Sequence, residues 1–189
     1  MPFRPLASSR SVRWRPRTGE GLEHLTIEPA EGGYRVRSVV VGSFEGRDFG
    51  AFYSAVIDSG WRVLSFRIEP SDGGRLALSS PEPGRWIDED GFDRPDLTGC
   101  VDIDLSATPF TNTLPIRRLG LTRADGEVTL PVLYVPFGDL APKPAVQFYR
   151  ALEDGRRYRF ENGDRSFAAD LPLDEDGLVL DYPTLFKRL

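Results

Sequence analysis

Residues 49–69 read FGAFYSAVIDSGWRVLSFRIE and hold the pattern that decides the fold. The stretch from Phe49 to Asp58 is rich in aromatic and β-branched residues, which favour strands. From Trp61 to Glu69, apolar residues alternate with polar ones, as they do on a half-buried strand. The intervening Asp58-Ser59-Gly60 is typical of a hairpin turn. The segment therefore predicts an antiparallel β-hairpin.

On both sides of this hairpin the chain repeats the pattern of short strands and tight turns. Asp-Gly and Asn-Gly pairs, such as Asp125-Gly126 and Asn162-Gly163, tolerate the positive φ angles that tight turns need. Only the region from Thr108 to Leu121 lacks a strand pattern, and a short helix or a single turn is expected there. We predict an all-β, predominantly antiparallel fold of about 10–12 strands with little helix. Further strands are expected at residues 34–37, 75–79, 128–135, 145–152, 157–161, 166–171 and 178–182.

Two short patterns recur in the second half of the chain. Phe52-Tyr53-Ser54-Ala55 returns as Phe148-Tyr149-Arg150-Ala151, and Asp88-Glu89-Asp90-Gly91 returns as Asp174-Glu175-Asp176-Gly177. In both halves an aromatic strand, a turn, a second strand and an acidic turn follow in that order. The recurrence has two interpretations. Either the chain contains an internal duplication within one unit, or chance combines with shared turn chemistry.

The first residues of the chain differ from the rest. Residues 1–18 carry several arginines and little apolar pattern, which predicts a flexible, basic N-terminal segment. Trp14 is the exception, because an indole there could dock the end of the segment onto the body of the protein. Residues 19–189 are expected to form a single β domain.

Composition and charge exclude several classes of protein. Of the 189 residues, 40% are hydrophobic and 28% are charged, as in ordinary globular domains. The net charge of −5 argues against nucleic acid as the main partner, because binding to phosphates needs a positive field. No segment reaches the ~20 apolar residues of a membrane helix, and no continuous apolar stretch indicates a secretory signal. We therefore expect a cytoplasmic protein without a membrane span. No heptad pattern indicates an oligomeric state.

Metal and cofactor sites are not expected. The one cysteine, Cys100, and the one histidine, His24, provide too few ligands for a zinc site unless carboxylates complete it. His24 is expected at the surface of an early strand. The sequence has no phosphate-binding loop, no dinucleotide fingerprint and no Gly-x-Ser-x-Gly nucleophile elbow.

Residues 97–119 read LTGCVDIDLSATPFTNTLPIRRL and form the most unusual run in the chain. Its first half alternates strictly, so Asp102 and Asp104 are expected on the same side of one strand. Two neighbouring carboxylates repel each other unless cations lie close, and Arg117 and Arg118 are the candidate partners. The cluster fits either of two roles. It is a structural link between a strand and a turn, or it is a polar rim that hydrogen-bonds sugar hydroxyls.

This run resembles the signature of the putative glycolipid-binding family of bacterial proteins. Three other stretches agree with it in order and spacing: Val12-Arg13-Trp14-Arg15, Asp58 to Arg62, and Asp176 to Pro183. The resemblance implies a spiral β-roll, a curled sheet similar to that of the lipid carriers of bacterial envelopes, and a glycolipid or fatty-acyl ligand. It implies no catalytic residues. Val63-Leu64 stand where family members more often have a polar residue and a second arginine, which weakens the case for an arginine pair there.

The first hypothesis of function is a non-catalytic binding protein that holds an acyl or glycosyl ligand in a groove of a curled sheet. Its binding site would combine aromatic faces for a sugar ring with polar groups for the hydroxyls of the sugar. The candidate residues are Trp61, Trp86, Asp102, Asp104, Phe110, Asn112, Arg117, Arg118, Tyr149 and Tyr182.

Two other hypotheses belong to different classes. A protein-interaction or structural module would have an interior filled by side chains and no groove. A hydrolase acting on a sugar or an ester could pair Asp102 with Asp104 or Asp181, since glycosidases use two nearby carboxyl groups. Carboxylates near arginines usually stay ionised, which opposes the role of a general acid.

Overall fold

The computed structural model describes Phe3, residues 5–44 and residues 46–189, and this part of the chain consists mainly of strands. Fourteen strands are formed there, somewhat more than the sequence pattern predicts. They are β1 (Arg10–Pro16), β2 (Leu22–Ala30), β3 (Gly33–Phe44), β4 (Arg47–Asp58), β5 (Val63–Pro70), β6 (Leu76–Glu82), β7 (Arg85–Asp88), β8 (Asp102–Leu105), β9 (Glu127–Val135), β10 (Lys143–Glu153), β11 (Arg157–Asn162), β12 (Ala168–Pro172), β13 (Asp181–Tyr182) and β14 (Phe186–Arg188). The α-helix is α1 (Phe110–Leu119), and short 3₁₀ helices lie at Pro95–Leu97 and Arg123–Asp125.

The strands form two sheets. The large sheet has nine strands in the order β13-β14-β1-β2-β3-β4-β5-β6-β7, and every pairing in it is antiparallel. The small sheet has five strands in the order β12-β11-β10-β9-β8. Its one parallel pairing joins β8 to β9. A parallel pairing needs a crossover connection, and α1 lies on that connection. The expected all-β, predominantly antiparallel fold with little helix is confirmed.

The helix α1 forms where the sequence lacked a strand pattern. It ends at Gly120, whose φ of 57° is left-handed and whose N–H donates to the carbonyl of Ile116. Glycine reaches this conformation without the steric cost that a Cβ adds, and it commonly closes helices in this way. Apolar side chains of α1 pack into both hydrophobic clusters of the protein, with Leu114 in the larger one and Ile116 in the smaller. The helix thereby links the two sheets.

The same turn closes three hairpins. In each, the Oδ1 of an aspartate accepts hydrogen bonds from the backbone N–H groups two and four residues later, and the aspartates are Asp58, Asp88 and Asp174. Gly91 and Gly177 occupy the positive-φ position of two of these turns. Because the Asp58 turn has this geometry without an acidic repeat, shared turn chemistry accounts for the acidic part of the recurrence in the sequence.

The N-terminal segment differs from the prediction. We expected residues 1–18 to be a flexible tail, but Arg10–Pro16 forms strand β1 between β2 and β14. Trp14 explains the difference, since its indole is almost fully buried and its Nε1 donates to the carbonyl of Val179 at 2.8 Å. The alternating pattern of β1 is weak in the sequence because arginines occupy most of the outward-facing positions of this strand. That residues 19–189 form a single domain stays a prediction.

Candidate functional site

A cavity of about 680 Å³ lies between the two sheets. This volume falls within the range of roughly 300–1,000 Å³ that is usual for small-molecule sites. Strands β1 to β4, β13 and β14 of the large sheet contribute one wall, and β8 to β11 of the small sheet contribute the other. The apolar side chains in these walls include Trp14, Val40, Phe49, Phe160, Phe167 and Phe186.

The solvent-exposed part of the cavity lining contains both apolar and polar residues. Four lining residues have large hydrophobic side chains that are partly exposed to solvent: Leu22 (38%), Val41 (49%), Val146 (44%) and Leu185 (40%). Exposed apolar side chains beside a cavity are typical of binding sites. The exposed lining residues also include Thr18, Ser43, Asp164 and Thr184, so the mouth of the cavity combines apolar and polar groups.

The deep end of the cavity is polar. We call it the polar floor, and its members are Glu23, Asp104, Thr108, Asn112 and Gln147. Four of the five are almost completely buried, and Asp104 is partly buried. Buried polar groups are costly unless they are hydrogen-bonded, so each member of the polar floor needs a partner from the protein or from a ligand.

A chain of hydrogen bonds ends at Asp104. Asn112 Nδ2 donates to the hydroxyl of Tyr149 at 2.9 Å, and that hydroxyl donates to Gln147 Oε1 at 3.1 Å. Gln147 Nε2 then donates to Asp104 Oδ2 at 2.6 Å. Burial raises the pKa of Asp104, and the hydrogen bonds from Gln147 and Thr111 oppose this shift. All the donors point toward the carboxylate, so the chain is oriented by the charge of Asp104.

Glu23 lies on the inner face of the large sheet with two hydroxyl groups from neighbouring strands. Its Oε1 accepts hydrogen bonds from Ser38 Oγ at 2.8 Å and from the hydroxyl of Tyr53 at 2.7 Å. Its Oε2 is buried and has no hydrogen-bond partner among the described residues. Burial raises the pKa of Glu23 to about 7, although the hydroxyls of Tyr53, Thr108 and Ser38 lower it. Glu23 is therefore a buried acid of the polar floor, and one of its two carboxylate oxygens has no hydrogen-bond partner among the described residues.

Three of the ten sequence-predicted site residues line the cavity. Asp104 and Asn112 belong to the polar floor, and Tyr182 lies in the wall near Phe160. Tyr149 lies behind the lining and holds Asn112 and Gln147 in place. The residues outside the lining are Trp61, Trp86, Asp102, Phe110, Arg117 and Arg118.

Neither predicted tryptophan offers a free face to a sugar ring. Trp86 is 1% exposed, and its Nε1 donates to the carbonyl of Cys100 at 2.7 Å. Trp61 packs against Tyr34, with ring centroids 4.9 Å apart, and the guanidinium carbon of Arg117 lies 4.0 Å from the centre of the Trp61 ring. Both indoles are part of the core, as is Phe110.

The predicted pairing of two aspartates with two arginines is half correct. Arg118 makes a bidentate pair with Asp102, but Asp104 is held by the neutral side chains of Gln147 and Thr111. Arg117 instead stacks on Trp61 and donates to the backbone carbonyl of Asp176. The helix separates the two arginines, because consecutive residues of a helix point in different directions.

Sequence reasoning missed Glu23, Thr108, Gln147 and Trp14 as lining residues. For Glu23 a signal was present, since it occupies the same side of β2 as the fully buried Leu25 and Ile27. A carboxylate at an inward position of a strand is rarely buried without a partner or a function. Gln147 carries the same signal in β10, where it shares a side with Tyr149 and Ala151.

The described residues contain neither a cluster of candidate metal ligands nor a helix that could span a membrane. No group of three or more histidine, cysteine, aspartate or glutamate side chains among them is placed to hold a metal ion. No helix in the same part of the chain is long and apolar enough to cross a membrane. The thiol of Cys100 is buried and free.

Comparison with known proteins places this architecture in a family. The chain is similar to a DUF1089-family protein from Pseudomonas aeruginosa known from a crystal structure, with 33% sequence identity and a TM-score of 0.77. The similarity covers 99% of this chain and 95% of the other. No curated protein matches the chain. A family model described as "Putative glycolipid-binding" matches residues 11–188. The chain therefore belongs to the putative glycolipid-binding family.

Proposed function

We propose that this protein binds one amphipathic molecule, a glycolipid or another acyl-chain ligand, in the cavity between its two sheets. The observation that carries the proposal is the arrangement of the cavity, which has largely apolar walls, several exposed apolar side chains in its lining and a polar floor. Such a gradient matches a molecule with an apolar chain and a polar end. The family description, which names glycolipid binding, supports the same class of ligand.

The walls supply the affinity. Each buried methylene group contributes roughly 0.8 kcal/mol, so a sixteen-carbon chain would gain on the order of 12 kcal/mol. Association costs roughly 4–15 kcal/mol in lost freedom, which offsets much of this gain. At the lower end of that cost about 8 kcal/mol remains, which corresponds to a dissociation constant of about 1 μM for a chain of that length. The polar floor would then select among ligands by their end groups.

The polar floor suits hydroxyl groups better than it suits more apolar surface. Glu23 and Asp104 are acceptors, and Asn112 and Gln147 carry both donors and acceptors. A sugar or glycerol end group that reached the floor would satisfy the buried oxygen of Glu23. A ligand without such an end group would leave that oxygen unpaired and would bind more weakly.

A protein-interaction module is less consistent with this interior, because its core would be filled by side chains. We also propose that the protein catalyses no reaction on its ligand. Asp102 is paired with Arg118 outside the cavity lining, and Asp181 forms an ion pair with Arg17 at the surface. Neither of these two aspartates, which the sequence suggested as carboxylates of a hydrolase, lines the cavity. A bacterial cytoplasmic location is part of the proposal, and the free thiol of Cys100 is compatible with it.

Native mass spectrometry tests the proposal. The protein is purified under mild conditions from a bacterial host, and its native and denatured masses are compared. We expect a discrete adduct in the native spectrum that is lost on denaturation and recovered as an acyl or glycosyl species by organic extraction. A clean protein mass that does not shift with any member of a glycolipid panel would contradict the proposal.

A further inference from the structure

The charged side chains that line the cavity all have the same sign. They are Glu23 and Asp104 in the polar floor and Asp164 near the mouth. Lysine, arginine and histidine are absent from the lining residues within the described part of the chain. Arg118 is close in sequence to the floor, but both of its bonds go to Asp102, which is outside the lining. No described side chain of the lining therefore carries a positive charge that could neutralise an anion.

The Oε2 atom of Glu23, which has no hydrogen-bond partner among the described residues, indicates that the polar floor lacks a hydrogen-bond donor at this position. Glu23 is 3% exposed, and its Oε2 accepts no hydrogen bond from the residues described. A buried acceptor without a partner carries the full cost of its lost hydration. A ligand group that donates a hydrogen bond would remove that cost. A group that only accepts would add a second unpaired acceptor beside the first.

We propose that the cavity selects its ligand by charge: it accepts an apolar chain whose end group donates hydrogen bonds and is neutral or cationic, and it excludes anionic end groups. This inference rests on the proposed function and adds the class of ligand to it. Hydroxyl groups and a protonated amine share the required chemistry, because both donate to carboxylate oxygens. Above the raised pKa of Glu23, sulfate, phosphate and carboxylate ends would meet the ionised Glu23 and Asp104 without a counter-charge, in a site where repulsion is weakly screened.

Three amphiphiles with one common tail separate these cases. Octyl glucoside, octylamine and octyl sulfate are titrated into the protein below their micelle-forming concentrations, and binding is measured by calorimetry. Mildly alkaline buffer keeps Glu23 ionised, while the sulfate stays anionic and the amine stays cationic. We expect octyl sulfate to bind at least about tenfold more weakly than octyl glucoside or octylamine. A preference between those two would assign the natural end group to a sugar or to an amine.

The Glu23→Gln variant tests whether Glu23 is responsible. Glutamine keeps an acceptor for Ser38 and Tyr53 and removes the negative charge, so the ratio of sulfate affinity to glucoside affinity should rise by roughly tenfold. Glu28→Gln is the matched control, because Glu28 lies on the same strand outside the cavity lining, and its substitution changes the net charge equally. It should leave the ratio unchanged.

The outcomes distinguish this inference from the proposed function. If octyl sulfate binds the native protein as tightly as octyl glucoside, charge selection is wrong and ligand binding in the cavity stands. If the ratio does not change in Glu23→Gln, Glu23 is not the selecting residue, and the inference fails in the form given. If neither the three amphiphiles nor any member of the glycolipid panel binds, the proposed function fails and the inference fails with it.

Discussion

Arg118 and Asp102 form a two-bond ion pair that joins α1 to β8, with Nε donating to Oδ1 at 3.0 Å and Nη2 to Oδ2 at 2.6 Å. Asp102 is 1% exposed, so burial raises its pKa and Arg118 opposes that shift. The pair is a structural link and lies outside the lining of the cavity. Its loss should therefore affect stability and not the selection of a ligand.

Substitution of Arg118 by methionine should destabilise the protein strongly. The variant leaves Asp102 buried without a counter-charge, and breaking a buried ion pair costs about 3–5 kcal/mol. Urea unfolding of both proteins measures the difference. The double variant Asp102→Asn, Arg118→Met should recover part of the loss, because it removes the unpaired charge.

The matched control breaks an exposed pair of the same geometry. Arg94 makes two hydrogen bonds to Asp96, at 2.9 and 2.7 Å, but both side chains are in contact with solvent. Exposed pairs contribute at most about 1 kcal/mol, so Arg94→Met should change stability little. Equal effects of the two arginine substitutions would contradict the structural role assigned to Asp102 and Arg118.

Stability should depend on pH through Glu23. Its pKa is raised from 4.5 to about 7 by burial, so the folded state binds a proton more tightly than the unfolded state does. Stability is then greatest at low pH, falls as pH rises from the unfolded pKa to the folded one, and is constant above that. The full effect is roughly 3 kcal/mol.

The Glu23→Gln variant isolates this contribution from that of other acids. Glutamine does not titrate, so the variant should match the native protein near pH 5 and exceed its free energy of unfolding by up to roughly 3 kcal/mol near pH 8. Denaturant unfolding at several pH values gives the difference. A constant difference across this range would mean that the pKa of Glu23 is not raised.

The fold could be predicted from the sequence more fully than the site could. Strand alternation and Asp-Gly turns are local signals, and they predicted the hairpin of β4 and β5 and most of its successors. The cavity depends on tertiary contacts between residues distant in sequence, because it is formed by the way α1 joins the two sheets. The sequence therefore identified Asp104 and Asn112, which lie in an unusual run, and missed Glu23 and Gln147, which come from different strands and sheets.

Trp61 shows why an unusual aromatic residue is a poor guide by itself. It occupies the positive-φ position of the Asp58 turn, with φ of 68°, where the related turns have glycine. A left-handed conformation costs a residue with a Cβ roughly 1–2 kcal/mol. The side chain compensates for this cost by packing between Tyr34 and Arg117. The presence of tryptophan at this position is therefore explained by its packing in the folded protein, and no contact with a ligand is needed to explain it.

Trp61→Gly should destabilise the protein and leave ligand binding intact. Glycine relieves the backbone strain of roughly 1–2 kcal/mol, but the loss of a buried aromatic side chain costs roughly 3–5 kcal/mol, so a net loss of about 1–4 kcal/mol is expected. Gly91→Ala is the control for the strain alone, because a Cβ at Gly91 meets no atom within 4 Å. Thermal unfolding and the glucoside titration are the two measurements. If the Trp61→Gly protein folds but no longer binds octyl glucoside, Trp61 contributes to the ligand site, contrary to the prediction.

Ala145→Trp should close the cavity. Ala145 is a lining residue on the same side of β10 as Gln147, so a larger side chain there would project into the space that the ligand needs. We expect the affinity for octyl glucoside to fall by at least about tenfold and the co-purified adduct to disappear. Ala168→Trp is the matched control, because Ala168 is also partly exposed on a strand of the small sheet but lies outside the lining. It should bind as the native protein does. Equal binding by both variants would place the ligand elsewhere on the protein, whereas loss in Ala145→Trp alone would assign it to the space between the sheets.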